Sequence, residues 1–367
     1  MKLKIERERL LKPLTQVSSV VERRQTLPIL ANVYLNLDKG QLQLVGTDLE
    51  VEVLTHIEDV AGEDGACTMT ARKLLDICRA LPDGAEVTLS ADGERATIRS
   101  GKSRFSLQTL PAADFPKLET DQWQLQFRSN QAELKNLLGR TAFAMAQQDV
   151  RYYLNGLLFE VSQKTLRAVA TDGHRLAKSE IEVHTNGDTE LHQAIVPRKA
   201  VVELSRFLEE VEEDVTVELN PNHIRVQLGV LLFTSKVIDG RFPDYEKVIP
   251  QRLSTRLTVD RAEFQEVLGR AAILTNDKFR GVRLTLGANR MVVSANNPEQ
   301  EEASDEMSIE YGGPDLEIGF NVNYLMDALK VLPKEHVELA VEDSNSSCTL
   351  QTPGDEKSQY LVMPMRL

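Results

Sequence analysis

The sequence predicts an α+β fold made of three copies of one unit, each with two helices packed on antiparallel sheets. Three observations carry this prediction. Similar stretches recur at about one third of the 367 residues, which is the signature of an internal repeat. Within each stretch, apolar and polar residues alternate on both sides of a tight polar turn, the pattern of a β-hairpin. Between hairpins, apolar residues fall at helical spacing.

Each unit opens with an amphipathic helix, expected over Glu8–Val20, Gln131–Ala146 and Arg261–Leu274. A hairpin follows. Its strands run from Leu30, Leu154 and Phe279, and end just before Thr47-Asp48, Thr171-Asp172 and Asn296-Asn297. A second helix is expected over Ala71–Leu81, Pro197–Leu208 and Val322–Leu332, and then strands beginning at Glu86, Val215 and Val337. The first two units end alike, in Phe105-Ser-Leu…Phe115-Pro116 and Phe233-Thr-Ser…Phe242-Pro243. The third stops at Tyr360-Leu-Val-Met-Pro-Met-Arg-Leu367, as expected if Phe-Pro introduces the next unit. The domains implied are 1–122, 123–250 and 251–367.

Composition narrows the function. Lys+Arg 43 against Asp+Glu 56 leaves a net charge of −13, which opposes indiscriminate coating of nucleic acid. Cys67, Cys78 and Cys348 are widely spaced and odd in number, so neither a disulfide scaffold nor a zinc site is expected. Acids near Met1 and the lack of an apolar segment predict no signal peptide and no membrane span, hence a cytoplasmic protein. No phosphate loop, nucleophile elbow or metal-binding histidine pair occurs, so no cofactor is expected. Asp172-Gly173-His174 with Ser179 is the enzyme alternative, a hydrolase, against a plain turn between strands. The run Glu209–Asp214 reads as a solvated helix end.

Local charge differs from the average. The second helices carry Arg72, Lys73 and Arg79, then Arg198, Lys199 and Arg206. Residues seven apart share a helix face, so Arg72 aligns with Arg79 and Lys199 with Arg206. Arg23-Arg24 adds charge in a loop, and Lys278, Arg280 and Arg283 flank the third hairpin. Side chains suited to reading bases are not concentrated anywhere, which predicts weak, salt-sensitive phosphate contact without sequence preference. A repeat of this size has a radius of gyration of about 14 Å, so three repeats leave a hole of about 5 Å and six leave about 35 Å. One chain cannot encircle a duplex, whereas two can. Glu299, Glu301, Glu302, Asp305 and Glu306 in the third repeat complement Arg95, Arg99, Lys102 and Arg104 in the first, suiting head-to-tail pairing. A scaffold that binds proteins without encircling DNA is the rival binding class.

Many ordered segments carry a resemblance. They include Thr26-Leu-Pro-Ile-Leu30, Gly46-Thr-Asp-Leu-Glu50, Leu110-Pro-Ala-Ala-Asp-Phe-Pro116, Gln148-Asp-Val-Arg-Tyr-Tyr-Leu-Asn-Gly156 and Ala170-Thr-Asp-Gly-His-Arg-Leu176. They continue with Asp239-Gly-Arg-Phe-Pro-Asp-Tyr245, Lys278-Phe-Arg-Gly-Val-Arg283, Asn296-Asn-Pro-Glu-Gln-Glu-Glu302 and Val362-Met-Pro-Met-Arg-Leu367. Over essentially its full length the chain resembles the bacterial DNA polymerase III beta subunit family, the β sliding clamps. The resemblance implies a head-to-tail homodimeric ring of six similar domains with helices lining the hole. It implies no catalysis, loading onto double-stranded DNA by an ATP-driven clamp loader, and DNA polymerases bound through short peptide motifs.

By similarity, Arg24, Arg72, Lys73, Arg79, Gln148, Tyr152, Arg198, Lys199, Arg206, Lys278 and Arg280 lie along the DNA path. The dimer seam uses Phe105, Leu107, Ile273 and Leu274, with Lys73, Arg95, Lys102 and Arg104 opposing Glu299, Glu301, Glu302 and Asp305. Partner peptides enter a pocket of Arg151, Leu154, Thr171, Gly173, His174, Arg175, Leu176, Pro243, Val248, Phe279, Asn321, Tyr324, Ser347, Val362, Met363, Pro364, Met365 and Arg366. Lys247 and Asn345 stand at rim positions where other residues are expected in the family. An apolar Val362–Met365 at a C-terminus, usually polar and frayed, agrees with a surface that accepts several partners.

Overall fold

Six α-helices and three antiparallel sheets make up the described part of the computed structural model, which covers residues 1–22, 27–120, 122–185, 190–250 and 255–366. Arg23-Arg24, including the predicted DNA contact Arg24, lies outside the described residues. The chain divides into two compact units. The first comprises Met1–Ala132, a short stretch from His184, and Val202–Val237, and holds the 14-stranded sheet. The second comprises Glu133–Val183, a stretch ending at Val201, and the chain from Ile238, and holds an 8-stranded and a 4-stranded sheet.

The helices are α1 Arg7–Ser18, α2 Ala71–Ala80, α3 Gln131–Thr141, α4 Arg198–Phe207, α5 Arg261–Ala271 and α6 Val322–Val331. Their apolar residues fall on one face. Leu10, Leu14 and Val17 of α1 are buried, as are Ala71, Leu74, Leu75 and Cys78 of α2 and Phe264, Val267, Leu268 and Ala271 of α5. The opening helices are shorter than their periodicity suggests. After α3 and α5 the apolar pattern continues into 3-10 turns, Ala142–Ala144 and Ala272–Leu274, which tighten the last turn and satisfy its carbonyls. The acidic run is also placed differently. Helix α4 stops at Phe207, and carbonyls of Val211 and Glu213 instead accept the amides of Ala132 and Gln131 at the start of α3.

The three hairpins share one register. Asp38 faces Gln41, Ser162 faces Thr165 and Gly287 faces Arg290, each across a two-residue turn. In the first, Lys39 and Gly40 both have positive φ, 49° and 82°, the geometry that matches strand twist. Sheets then cross from repeat to repeat: Val51 pairs with Ser235, and Arg175 with Val362.

The Phe-Pro linkers fold back over the hairpins they leave. Phe115 packs on Tyr34 at 5.4 Å and beside Val45, while Phe242 packs with Leu158 and Val169. The equivalent pair in the third hairpin, matched by register, is Arg283 and Ser294. That pair is polar where the first two are apolar. Cys67, Cys78 and Cys348 are buried, and no disulfide joins them.

Candidate functional site

A groove in the second unit forms where the strand Arg175–Glu182 meets the last strand, Gln359–Val362. The turn before it is held by its own side chains. Thr171 Oγ1 donates to the Arg175 carbonyl at 2.7 Å, and Asp172 Oδ1 accepts the amides of His174 and Arg175 at 2.9 and 3.0 Å. Gly173 has φ +88°, a region that favours glycine, and a Cβ there would come within 3.0 Å of the Arg151 guanidinium, which would have to give way. The chain end lies along this turn. Met363 N–H donates to the His174 carbonyl and Met365 N–H to the Gly319 carbonyl, both at 2.9 Å, so Val362–Met365 is held between two sheets.

Two arginines stiffen the site. Arg175 is gripped by Asp172 at 3.0 Å, Asp327 at 2.7 Å and the Phe143 carbonyl at 2.9 Å, with its guanidinium 4.6 Å from the Tyr324 ring centre. Arg151 chelates Asp149 at 2.8 and 3.0 Å and reaches the Asp172 carbonyl at 3.2 Å. These bonds hold the Asp149 carboxyl down at about 2. His174 stacks on Tyr324 at 6.4 Å. Beneath, Leu154, Leu176 and Leu361 join one buried cluster with Phe242 and Tyr245. Beside the turn opens a cavity of about 350 Å³, lined among others by Phe143, Gln147, Asp149, His174 and Tyr324.

The structure thus gathers Arg151, Leu154, Thr171, Gly173, His174, Arg175, Leu176, Tyr324 and Val362–Met365 around one feature. Pro243 and Val248, the latter 42 % exposed, flank Tyr245 of the buried cluster. Phe279 is 56 % exposed, and its carbonyl accepts from Asn321 at 3.2 Å. Ser347 precedes Cys348, which pairs with Val362, and Arg366 is exposed at the chain end. The groove takes in residues that sequence reasoning passed over: Asp327, Phe143, Gln147 and Asp149. Asp327 has no local signal, because only the fold brings it to Arg175, 152 positions away.

The hydrolase alternative does not assemble. The Asp172 carboxylate is occupied by backbone amides and Arg175, the His174 ring lies on Tyr324, and Ser179 is buried against Ser358 at 2.8 Å. Among the described residues no cluster could hold a metal ion, and no helix is long and apolar enough to cross a membrane.

The basic residues lie on helices and loops. Arg72, Lys73 and Arg79 project from α2, and Arg206 projects from α4 with Glu203 at 2.6 Å. In the second unit Gln148 and Tyr152 are exposed around Val150, itself 95 % exposed. Arg198 donates to the Met145 carbonyl at 3.1 Å and its neighbour Lys199 is half-buried. Lys278 lies over the Phe279 ring, and Arg280 is 3.7 Å from Asp277.

The seam residues expected from the sequence lie on strands, in adjoining turns and in the turn after α5. Arg104, Phe105 and Leu107 sit on Ser103–Leu110 with Lys102 beside it, and Arg95 begins the adjoining strand. Glu302 and Asp305 sit on Glu302–Ser308, preceded by Glu299 and Glu301. Ile273 is 75 % exposed beside half-buried Leu274. Within the chain, Asp305 accepts from Arg270 and Glu301 from Asn297.

The chain matches known domains along almost all of its length. The N-terminal, central and C-terminal domains of the DNA polymerase III beta subunit match residues 1–119, 128–244 and 246–366. A beta sliding clamp of Pseudomonas putida is 51 % identical over 364 residues, covering 99 % of both chains. The crystal structure of the Pseudomonas aeruginosa DNA polymerase III subunit beta superposes with a TM-score of 0.97 at 49 % identity, over 100 % of both chains. A second Pseudomonas aeruginosa sliding clamp, bound to griselimycin, gives 0.95 at 48 % identity over the same full coverage. Repeated hairpins, paired sheets and the groove at the chain end therefore belong to one architecture, and the chain is a member of the DNA polymerase III beta subunit family.

Proposed function

We propose that this chain is a DNA sliding clamp of the bacterial cytoplasm: two copies close head to tail around duplex DNA and tether polymerases, and no bond is made or broken. The observation that carries the reading is a pair of free strand edges. At both internal junctions, the strand after the Thr-Asp turn of one repeat pairs with the last strand of the next. Among the described residues, the corresponding strand of the third repeat, Glu302–Ser308, is paired on one side only. The corresponding last strand of the first repeat, Ser103–Leu110, meets a second neighbour only through Thr109 and Leu110.

Carrying the internal register across to a second copy sets Glu302 opposite Ser106 of the partner subunit and Ser304 opposite Arg104 of the partner subunit. An exposed edge offers its unpaired N–H and C=O groups to a second chain, and two unlike edges per chain suit a closed ring. Acids Glu299, Glu301, Glu302 and Asp305 then oppose Lys73, Arg95, Lys102 and Arg104, with Phe105, Leu107, Ile273 and Leu274 between them. The seam reading is compatible with Arg270 at Asp305, since a carboxylate accepts several bonds.

In this reading the three domains span 1–122, 123–250 and 251–367. DNA passes Arg24, Arg72, Lys73, Arg79, Gln148, Tyr152, Arg198, Lys199, Arg206, Lys278 and Arg280 through weak phosphate contacts. Polymerases dock short peptides in the groove from Arg151 to Arg366, and an ATP-driven loader opens the seam. Escape requires opening the ring, so retention needs no tight binding. The test is topological: the protein, loaded on a nicked circular plasmid by its cognate loader, is retained on gel filtration and released on linearisation. Sedimentation should give a dimer of 41.1 kDa chains. A monomer at micromolar concentration, or equal retention on linear DNA, defeats the reading.

A further inference from the structure

Three strands cross beneath the linker that leaves the second repeat, and one row of side chains on them is unlike its counterparts. By strand register this row reads Glu160, Arg167, Glu180. The same row reads Asn36, Gln43, His56 in the first repeat and Thr285, Val292, Glu306 in the third. Only the middle copy sets a guanidinium between two carboxylates, so the repeat supplies its own controls.

The row is completed from above. Tyr245 donates its hydroxyl to Glu160 Oε2 at 2.5 Å, and Arg167 Nη1 donates to the same phenol oxygen at 3.1 Å. Arg167 Nε donates to Glu180 at 3.2 Å, and Arg167 stands 3.5 Å from Glu246. Gln193 donates to the other Glu160 oxygen at 2.7 Å. Burial and the Glu160 bond hold the Tyr245 phenol well above its ordinary range, so it remains a donor. Apolar residues would secure the strands as well as a partly buried ionic network does. The network therefore calls for a reason beyond sheet stability, and Tyr245 supplies one. Its ring belongs to the buried cluster with Leu154, Leu176 and Leu361, and it opens the 3-10 turn Tyr245–Val248 that carries Val248.

We infer that Glu160, Arg167 and the Tyr245 hydroxyl form a polar latch that positions the Tyr245–Val248 turn as a preformed wall of the partner-peptide groove. The inference rests on the groove reading above. A single 3-10 turn has poor hydrogen bonds of its own and does not hold one geometry unaided. Without the latch the turn spreads over several conformations, and apparent affinity falls by the fraction that is competent to bind. These are positioning residues, which touch the wall and not the peptide.

The probe is a short polymerase-derived peptide, the ligand class of the groove reading, with binding rates measured by surface plasmon resonance on the full-length chain. Tyr245→Phe keeps the ring in the cluster and removes only the hydroxyl. Its association rate should fall about tenfold with dissociation changed by less than about twofold, the mark of a smaller competent population. Arg167→Gln should fall at least as far, Arg167→Lys should recover part of the loss, and Asn36→Ala, at the matching position of the first repeat, should bind as wild type. Wild-type association by folded Tyr245→Phe and Arg167→Gln overturns the latch, as does a lowered melting temperature with unchanged rates. Removal of Met363–Leu367 separates the two claims: peptide binding that survives it overturns the groove reading instead.

Discussion

In the turn Thr47–Val51 the Thr47 hydroxyl donates to the Val51 carbonyl at 2.9 Å, and Asp48 accepts the amides of Glu50 and Val51 at 2.9 and 2.7 Å. These are the bonds of the Thr171–Arg175 turn over again. The next strand arrives identically too: Lys236 N–H donates to the Glu50 carbonyl at 2.9 Å, as Met363 N–H does to that of His174. The backbones agree, but the side chains part company. Where Gly173 leaves room for Arg151, Leu49 occupies φ +76°, a strained conformation for a side-chain-bearing residue. Where His174 and Met363 leave a groove, Glu50 and Lys236 form an ion pair at 3.1 Å.

Beneath the turns the contrast continues. Strand register places Glu52 and Thr234 at the first junction where Leu176 and Leu361 floor the second. The linker then fills the first junction: Leu118 N–H donates to Glu52 at 3.1 Å, and Arg225 bonds Thr120 at 3.2 Å while lying 4.5 Å from the Trp123 ring centre. One junction is sealed by its own linker, and the other keeps the groove in which we propose that a peptide docks. The repeat thus duplicated a scaffold, and side chains decided which junction keeps a groove.

The largest effect should come from removing the chain end that lies along the second junction. Deleting Met363–Leu367 should abolish binding of a polymerase-derived peptide, a loss above about 100-fold by fluorescence anisotropy, while sedimentation still shows the dimer. Unchanged affinity would mean that the two junctions do not differ in the way described. Arg225→Ala should unseal the first junction, lowering stability by about 2 kcal/mol in denaturant titration through its lost hydrogen bonds and cation–π contact, with peptide affinity unaltered. A fall in affinity there would show that the sealed junction also serves binding.

The smallest effect concerns Glu52, whose carboxyl is held above its ordinary 4.5 by burial. The folded chain keeps that proton more tightly than the unfolded chain. Its contribution is therefore fully present below pH 4.5 and is lost as pH rises through the folded value. Glu52→Gln keeps the acceptor for Leu118 and removes the buried charge. The melting temperature should rise by about 1 °C at pH 7, and the gain should vanish below about pH 4. An equal gain at both pH values would exclude burial of charge as the cause.

The hairpins and helices were legible because period-2 and helical spacing are properties of neighbouring residues, and three copies made each pattern evident three times. Helix ends were less so, since Ala142–Ala144 and Ala272–Leu274 keep the apolar pattern while the backbone tightens. The groove lining followed from matched motifs, which place residues along a chain but do not say what each one holds. Asp327 at Arg175, Tyr245 at Glu160 and Trp123 under Arg225 join residues far apart in sequence, and no periodicity announces such pairs.

By itself the sequence determined the triplication, the α+β class, the two helices and hairpin of each repeat and the local clustering of basic residues, because these depend on patterns within a few turns or strands. Only the tertiary structure decided which junction is open, which strand edges stay unpaired and which carboxylates are spent inside the chain. Those outcomes turn on side chains meeting across strand pairs such as Arg175 with Val362, 187 positions apart in sequence, and burial then fixes whether each meeting closes a surface or leaves it free to bind.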